Sequence, residues 1–309
     1  MMKRDFLAIN DYTKTHLEEL LNLALSLKKE YFAQGNLPLL KGKVLGMVFN
    51  KPSLRTRISF DMAMRHLGGD ALFISPSEIG LGKRESIADV ARVLAGYVSG
   101  IMARVFEHEH VVELARWSSV PVINGLSDYN HPCQAFADVF TIFEHFGTLD
   151  DLNVAYVGDG NNVALSLLHA CARLGVNFTI ASPEEYDIKP STWSEAEEES
   201  RKNGCSIKQL RIPQDAVVDA DVVYTDTWTS MGQEEESKKR EKLFPPYQVN
   251  STLLKLAKPT TMVMHCLPAH RGQEITNEVA DGPQSLLFIQ AHNRLHAQKA
   301  ILVDLLGEK

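Results

Sequence analysis

The chain has 309 residues, of which 44% are hydrophobic and 23% charged, so its composition is typical of a globular protein with room for two domains of ordinary size. The net charge of −7 at pH 7 excludes a general basic surface for nucleic acid, and we expect any positive charge that binds a ligand to be local. No stretch is long and apolar enough to span a membrane, and the N-terminal residues lack the apolar core of a signal peptide.

The predicted elements alternate between helices and strands along the whole chain. An amphipathic helix is predicted over 16–32. Apolar runs of strand length follow near 44–49, 71–74, 98–102 and 120–123, and a second series lies near 152–157, 177–181, 205–209, 221–224 and 262–265. The pattern predicts an α/β protein with two mainly parallel sheets, each flanked by helices.

The boundary between the two domains is predicted after a helical segment over 131–147, at the polar stretch 148–151. A last helix is predicted from 291 to 306. The four cysteines show no C-x-x-C spacing, which argues against a metal site and against a disulfide framework. A reduced, cytoplasmic compartment is therefore the simplest interpretation. The cysteines are Cys133, Cys171, Cys205 and Cys266.

The most informative segment joins the strand that ends at Phe49 to a helix predicted over 58–67. A helix N-terminus presents free backbone N–H groups and the positive end of the helix dipole, and arginine adds bidentate donors that suit phosphate. The segment therefore predicts a site for a small phosphorylated ligand. The alternative is a helix cap with solvated arginines. The polar residues concerned are Ser53, Arg55, Thr56 and Arg57.

Two further candidates lie near strand ends in the first half of the chain. Arg104 closes an apolar strand, where it needs an anionic partner, and a structural ion pair with Glu107 or Glu109 is the alternative to a ligand. His131 and Gln134 open a helix about one turn apart, so both can face a ligand. A histidine there can donate to a carbonyl oxygen and a glutamine can hold an amide, although a purely structural histidine is equally compatible with the pattern.

The turn at 158–162 (GDGNN) resembles half of a dinucleotide-binding fingerprint. The third glycine is missing, because Val163 occupies its position. The two asparagines of the turn can instead bind a carboxylate at the helix N-terminus, and nucleotide binding is the weaker interpretation.

The last candidates follow two later strands. Asp226 ends one of them and can pair with a substrate ammonium group. Cys266 follows the other, and the alternative to a reactive thiol there is a buried, small apolar residue. Leu267 can contribute only its backbone carbonyl, which the turn at Pro268 frees from strand pairing.

Together, these residues resemble the aspartate/ornithine carbamoyltransferase family, and in particular its ornithine branch. The motifs occur in the family's order over almost the whole chain, and their combination is much more specific than any one of them. They are Ser-x-Arg-Thr-Arg at 53–57, His-Pro-x-Gln at 131–134, Asp-x-x-x-Ser-Met-Gly at 226–232, His-Cys-Leu-Pro at 265–268 and Asn-Arg at 293–294.

The resemblance implies a first domain over 1–147 that binds carbamoyl phosphate and a second over 148–290 that binds L-ornithine. The C-terminal helix, 291–309, would return to the first domain. The implied reaction transfers the carbamoyl group to the δ-amine of L-ornithine and gives L-citrulline and phosphate. The resemblance also implies a homotrimer or an assembly of trimers, with no metal and no organic cofactor.

The resemblance further implies a set of site residues. The groups implied at carbamoyl phosphate are Ser53, Leu54, Arg55, Thr56, Arg104, His131, Gln134, Cys266, Leu267 and Arg294. Those implied at ornithine are Asn162, Asp226, Ser230 and Met231. The implied catalytic residues among them are Arg104, His131, Asp226 and Cys266.

The chain departs from the family at two positions. Leu54 stands where the ornithine branch usually has threonine, and Gly80 stands in a loop where relatives often carry a glutamine or histidine that reaches the neighbouring subunit. Transfer to a modified ornithine or to another amine therefore stays open as an alternative. A nicotinamide-dependent dehydrogenase and a non-catalytic relative are the alternatives of a different class.

Overall fold

The computed structural model describes residues 3–82, 84–229 and 234–308. The chain divides into two compact units. The first contains the described residues up to Phe140 together with those from Asn293 onward, and the second runs from Thr141 to His292. Both units alternate strands and helices along the chain, which confirms the predicted α/β class. No helix among the described residues is long and apolar enough to cross a membrane.

The first unit is built around a parallel sheet with the strand order β2-β1-β3-β4, counted over the described residues. Its elements are α1 (Lys14–Gln34), β1 (Val44–Phe49), α2 (Leu54–His66), β2 (Asp70–Ile74), α3 (Pro76–Ile79), α4 (Ile87–Ala95), β3 (Gly100–Arg104), α5 (His108–Trp117), β4 (Val122–Leu126) and α6 (Pro132–Phe146), whose last turns belong to the second unit.

The second unit is built around a parallel sheet with the strand order β7-β6-β5-β8-β9, again counted over the described residues. Its elements are β5 (Asn153–Val157), α7 (Asn162–Leu174), β6 (Asn177–Ala181), α8 (Pro190–Lys202), β7 (Ile207–Leu210), α9 (Pro213–Ala216), β8 (Val222–Thr225), α10 (Ser237–Leu243), α11 (Ser251–Leu254), β9 (Met262–His265), α12 (Asn277–Ala280) and the start of α13 (Leu287–Leu306). From Asn293 onward α13 belongs to the first unit, so the C-terminal helix does return there.

Every predicted strand overlaps an observed one, but some begin later than predicted. β4 starts at Val122 because Pro121 has no N–H to donate to the strand ladder. β3 starts at Gly100 because the N–H of Val98 donates to the Leu94 carbonyl in the turn that ends α4. In both cases a local hydrogen-bonding restriction shortens an apolar run that composition alone would assign to the strand.

Three helices begin earlier than predicted, the first being α1, which starts at Lys14 rather than at residue 16. α2 starts at Leu54 rather than at residue 58, because the Ser53 hydroxyl accepts a hydrogen bond from the Thr56 N–H at 3.2 Å and closes the first turn. α13 starts at Leu287 rather than at 291. The earlier start of α2 places the polar residues of the predicted phosphate loop inside the first turn of the helix.

The strand order reverses once in each sheet, between β1 and β3 in the first unit and between β5 and β8 in the second. At such a reversal, the loops that leave two neighbouring strands run to opposite sides, which opens a crevice at the carboxyl ends of the strands. The residues that follow β1, β3, β5 and β8 are therefore the ones that the fold places best for binding ligands.

α7 is buried on almost every side, and it carries a histidine into the core of the second unit. His169 is 5% exposed, and its Nε2 has no hydrogen-bond partner among the described residues. Burial, followed by the charge of Arg173, lowers the pKa of His169 to about 4. The folded chain therefore holds this imidazole neutral at pH values where an unfolded chain protonates it.

This difference makes the stability of the second unit depend on pH. Because the pKa of His169 is lower in the folded state, stability is lost as the pH falls from about 6.5 towards 4. We expect the native chain to lose about 2 kcal/mol of unfolding free energy between pH 7 and pH 5 from this group alone. His169→Gln should remove that part of the loss in urea-unfolding measurements, whereas the same substitution at exposed His145 should leave it in place. An equal pH dependence in both variants would contradict the assignment.

Candidate active site

The loop after β1 forms an anion-binding helix start. Ser53 caps α2, so the backbone N–H groups of the first turn and the positive end of the helix dipole lie at this loop. Arg55 is half-buried and Thr56 is fully buried in the same turn. The Leu54 side chain is 75% exposed, so only its backbone belongs to the loop. Leucine in place of threonine at this position is therefore compatible with an anion site made of backbone donors.

A second arginine of the motif does not belong to this group. The Arg57 side chain is exposed and its guanidinium lies 4.0 Å from the ring centroid of Phe73, on β2. Lys51, which sequence reasoning passed over, is buried just before the loop, with its Nζ 4.2 Å from the Phe106 ring centroid. Its position beside Pro52 and Ser53 was the signal that could have drawn attention to it.

Positive charge surrounds His131 in the first unit. His131 is 5% exposed and lies just before Pro132, the first residue of α6. Burial lowers the pKa of His131 well below 6.5, and the charges of Arg294, Arg104 and Arg55 lower it further. The imidazole is therefore neutral at neutral pH and can donate one hydrogen bond without carrying charge. The guanidinium groups would stabilise an anion bound here, and the neutral imidazole would add no further positive charge.

Two of these arginines reach the site from distant parts of the sequence. Arg104 ends β3, is 7% exposed and pairs in register with Phe49, the last residue of β1. Arg294 lies on α13, is 3% exposed, and its Nη2 donates to the Thr56 hydroxyl at 2.8 Å. The structure thus brings the loop after β1, the end of β3 and the last helix together within the first unit.

Gln134 lies one turn beyond His131 on α6 and is 1% exposed. Its Nε2 donates to Asp138 Oδ1 at 2.8 Å, and Asp138 is completely buried. Sequence reasoning missed Asp138, although its spacing of four residues from Gln134 on a helix is the signal that could have found it.

In the second unit, a thiol and a carboxylate lie at the ends of neighbouring strands. Cys266 follows β9 and Asp226 follows β8, and the Sγ of Cys266 donates to Asp226 Oδ1 at 2.9 Å. Both residues are nearly buried, at 8% and 6% exposure. The Asp226 carboxylate also accepts a hydrogen bond from Asn161 Nδ2 at 2.8 Å. The carboxylate is therefore held in one orientation, with a thiol hydrogen directed at it.

The asparagines of the turn after β5 have different positions. Asn161 caps α7, since its Oδ1 accepts hydrogen bonds from the N–H groups of Val163 and Ala164 at 2.9 and 3.0 Å. Asn162 is the first residue of the helix and is half-buried. The turn pattern by itself left both asparagines as candidates, and the resemblance implied Asn162 at ornithine. Of the two, Asn162 is the one whose side chain is not needed for the cap.

The same turn is poorly suited to a dinucleotide. A Cβ at Gly160 would lie 2.6 Å from the Tyr186 carbonyl oxygen, so this glycine is required for packing against a neighbouring segment. The N–H groups of Gly158 and Gly160 donate to the carbonyls of Ala181 and Tyr186. They are therefore not available to a pyrophosphate, which the fingerprint would require.

A buried network shapes the turn after β9. The Leu267 N–H donates to His265 Nδ1 at 2.8 Å, so the imidazole proton lies on Nε2, which is 3.1 Å from Glu274 Oε1. His265 and Glu274 are completely buried, and Leu267 has a φ of 58°, in the left-handed region. The network holds the Leu267 backbone in a conformation that a leucine rarely adopts. Sequence reasoning missed Glu274.

Asp226, His265 and Cys266 offer three possible metal-ligand atoms within 4.8 Å of one another. Both ring nitrogens of His265 are engaged, by Leu267 and by Glu274. A ligating histidine needs a nitrogen with a free lone pair, but the lone pair of Nδ1 accepts the Leu267 N–H and Nε2 carries the proton directed at Glu274, so this set of residues fits a metal ion poorly.

The residues Ser230 and Met231, predicted from the sequence as site residues, lie outside the described residues. Nearby described groups are tied together by Arg240, whose Nη1 donates to Asp159 Oδ2 and to the Trp228 carbonyl, both at 2.6 Å. Burial raises the pKa of Asp159 to about 6 even though Arg240 opposes the change. The contact joins Trp228 and α10 to the end of β5.

Comparison with known proteins gives one family over both units. The family described as aspartate/ornithine carbamoyltransferase, carbamoyl-P binding domain, matches residues 4–144. The one described as aspartate/ornithine carbamoyltransferase, Asp/Orn binding domain, matches residues 150–305.

Individual relatives are similar over almost their whole length. The chain is 52% identical over 304 residues to the ornithine carbamoyltransferase of Pyrococcus abyssi, which covers 98% of this chain and 96% of the relative. It is 50% identical over 303 residues to that of Anoxybacillus flavithermus, with the same coverage. Among solved structures, the ornithine carbamoyltransferase from Pyrococcus furiosus is similar with a TM-score of 0.96 and 50% identity, covering 99% of this chain and 98% of that one. The one from Thermus thermophilus has a TM-score of 0.89 and 44% identity, covering 99% and 100%.

The low pKa of His131 can be measured directly. Because burial and the three neighbouring guanidinium groups disfavour the charged imidazole, we expect no protonation of His131 between pH 8 and pH 6. Nitrogen NMR of histidine-labelled protein checks this, with His131→Asn to identify the signal. The same titration in concentrated urea, where the surroundings are lost, should show protonation near pH 6.5. A signal that titrates near 6.5 in the folded chain would contradict the buried, cation-lined site.

Proposed function

Because the chain belongs to the aspartate/ornithine carbamoyltransferase family, we propose that it transfers the carbamoyl group of carbamoyl phosphate to the δ-amine of L-ornithine, giving L-citrulline and phosphate. The relatives at about half identity over nearly the full length are named ornithine carbamoyltransferases, which supports ornithine as the acceptor. The single observation that carries the proposal is the cluster of half-buried Arg55 and buried Arg104 and Arg294 around a neutral His131.

This cluster supports binding of carbamoyl phosphate in the first unit. Phosphate would take the N–H groups at the start of α2 with Ser53, Arg55 and Thr56, and Arg104 would bridge it to the carbonyl oxygen. Arg294, which donates to the Thr56 hydroxyl, belongs to the same cluster. Gln134 would accept a hydrogen bond from the carbamoyl NH₂ group. Leu54 would contribute only its backbone N–H to the phosphate, since its side chain is exposed.

The second unit supports binding of the amino acid. Asp226 is buried and held by Asn161, and such a carboxylate pairs well with an ammonium group. Asn162, at the start of α7, would take the carboxylate of ornithine, where the helix dipole favours negative charge. As the resemblance implies, Ser230 would contact the ammonium group of ornithine and the Met231 backbone would contact its carboxylate. Cys266 would lie near the δ-nitrogen, and the Leu267 carbonyl would accept from the carbamoyl NH₂ group.

In the proposed reaction, the δ-nitrogen attacks the carbonyl carbon of carbamoyl phosphate. A C–N bond forms, the bond from carbon to the bridging oxygen breaks, and phosphate leaves with the electron pair. The carbonyl oxygen becomes negative during the attack, and Thr56, Arg104 and neutral His131 would stabilise it as hydrogen-bond donors. The ammonium form of the substrate loses one proton before attack and another as the urea group forms, and the leaving phosphate would accept the second proton. Cys266, Asp226 and the leaving phosphate are the three candidate acceptors for the first proton.

We also propose that the chain acts in the cytoplasm as a homotrimer or an assembly of trimers. α2 carries Leu54, Ile58 and Met62 at intervals of four residues, and these side chains are 75%, 49% and 37% exposed. Residues at this spacing form one apolar stripe on the helix, and a second copy of the chain is the partner that we infer for it. The stripe begins at the phosphate loop, so a neighbouring subunit there would lie next to bound carbamoyl phosphate. Light scattering on the purified chain tests the trimer.

The direct test is citrulline formation from carbamoyl phosphate and L-ornithine. We expect turnover with L-ornithine and little with N-acetyl-L-ornithine, N-succinyl-L-ornithine, putrescine or L-aspartate at equal concentrations. Turnover with one of these other amines would support the carbamoyl phosphate site but contradict the assignment of L-ornithine as the acceptor. Absence of turnover with every amine, in a folded chain, would favour a non-catalytic relative.

Two arginines of one motif offer a matched pair of variants. Arg55→Ala should raise the KM for carbamoyl phosphate roughly ten- to a hundredfold, because a charge-assisted hydrogen bond to phosphate is lost, and should change ornithine binding far less. Arg57→Ala should leave the carbamoyl phosphate KM close to the native value, since Arg57 is exposed and lies over Phe73. Steady-state kinetics with each substrate varied in turn measures both effects. An equal loss for both substrates in folded Arg55→Ala would count against the phosphate assignment.

A further inference from the structure

The side chains of Gln134 and Asp138 form a buried pair on α6. They are 1% and 0% exposed and lie one helical turn apart, and Gln134 Nε2 is 2.8 Å from Asp138 Oδ1. Within the described part of the chain, this is the one hydrogen bond of the Gln134 side chain. The Gln134 amide oxygen is therefore an acceptor left for a ligand in an otherwise buried side chain.

The chemistry of the pair decides which end of the amide is left over. A glutamine amide has an NH₂ end that donates and an oxygen end that accepts, and the two ends have nearly the same shape. A carboxyl oxygen accepts a hydrogen bond from such an NH₂ group. Gln134 Nε2 is the atom that donates to Asp138 Oδ1, so Asp138 binds the NH₂ end of Gln134 and leaves its oxygen for a ligand.

The neighbouring residues indicate what that ligand carries. Gln134 follows His131 by one turn of α6, and His131 is surrounded by Arg55, Arg104 and Arg294. The guanidinium groups favour an anion here, and an acceptor beside them favours an N–H donor on the same molecule. Carbamoyl phosphate has such a donor. Acetyl phosphate has the same size and charge but a methyl group in that position.

We propose that Asp138 is a positioning residue that makes this site prefer a carbamoyl donor over an acetyl donor, by holding the oxygen of Gln134 towards the ligand. The inference rests on the proposed function, since it takes carbamoyl phosphate as the occupant. A methyl group against a buried amide oxygen leaves that oxygen without a hydrogen bond, and such unpaired polar groups are the usual basis of discrimination between near-isosteric ligands.

Asp138→Asn tests the orientation with the smallest change of shape. An asparagine can present either its oxygen or its NH₂ group to Gln134, so the Gln134 amide is no longer held one way round. We expect the ratio of the dissociation constants of acetyl phosphate and carbamoyl phosphate, measured by calorimetry, to fall about tenfold. Because both ligands are measured on one protein sample, the ratio does not depend on the fraction that is correctly folded. An unchanged ratio would overturn the proposal.

A double-mutant cycle separates an effect through Gln134 from a general structural effect. Gln134→Met keeps the length of the side chain but removes both ends of the amide. In that background, Asp138→Asn should leave the ratio unchanged. The same tenfold fall in both backgrounds would show that Asp138 acts by another route and would overturn the proposal. As a matched control, Asp304→Asn changes a half-buried aspartate that pairs with Arg4 in the same unit, and it should leave the ratio unchanged.

The binding measurement also distinguishes this inference from the proposed function. Suppose that the native chain prefers carbamoyl phosphate and forms no citrulline, and that the Asp138→Asn variant loses the preference. This result would support the inference and contradict the proposed reaction. Citrulline formation by the native chain, with an unchanged ratio of the two dissociation constants in Asp138→Asn, would support the proposed reaction and contradict the inference. A folded native chain that binds neither acyl phosphate would overturn both.

Discussion

Parallel pairing within each sheet is the constraint on which the arrangement of polar residues depends. In a parallel sheet all strands point the same way, so the loops that follow them meet at one edge. The strand order reverses between β1 and β3 and between β5 and β8, which opens a crevice at that edge of each sheet. The Ser53 loop then lies beside Arg104 in the first unit, and Asn161 beside Asp226 in the second. The polar residues of the candidate site depend on this topology for their proximity.

Concentrated positive charge gives the first unit its chemical character. The chain as a whole has a net charge of −7, yet three guanidinium groups lie around one buried imidazole. Burial and these charges lower the pKa of His131, so it adds a hydrogen-bond donor without adding charge. A neutral donor among cations can stabilise a developing oxyanion at any pH near neutrality. The acidic composition of the chain and its binding of a phosphorylated ligand are therefore compatible.

Sequence patterns predicted the strands well because both faces of a parallel strand are buried, which leaves continuous apolar runs. They predicted the start of α2 less well, since the helix begins where the Ser53 side chain caps it rather than where apolar periodicity begins. The motifs also drew attention to candidate residues at or just after the ends of β1, β3, β8 and β9, since most of those residues are polar or small in an apolar context. Supporting residues such as Asp138 and Glu274 were missed, because both lie outside the motifs and sequence alone does not show that they are buried; only Asp138 had a spacing signal, four residues from Gln134.

The order of residues was enough to establish the α/β class, the parallel sheets and the chemical types of donor and acceptor available, since these follow from local periodicity and composition. The tertiary structure alone decided how those groups are oriented and charged. Thr56 and Arg294 are hydrogen-bonded across 238 positions of sequence, and the tautomer of His265 is set by Glu274 and the Leu267 N–H. The physical reason is that burial, hydrogen-bond partners and nearby charges fix pKa values and amide orientations, and folding brings those partners together from separate elements.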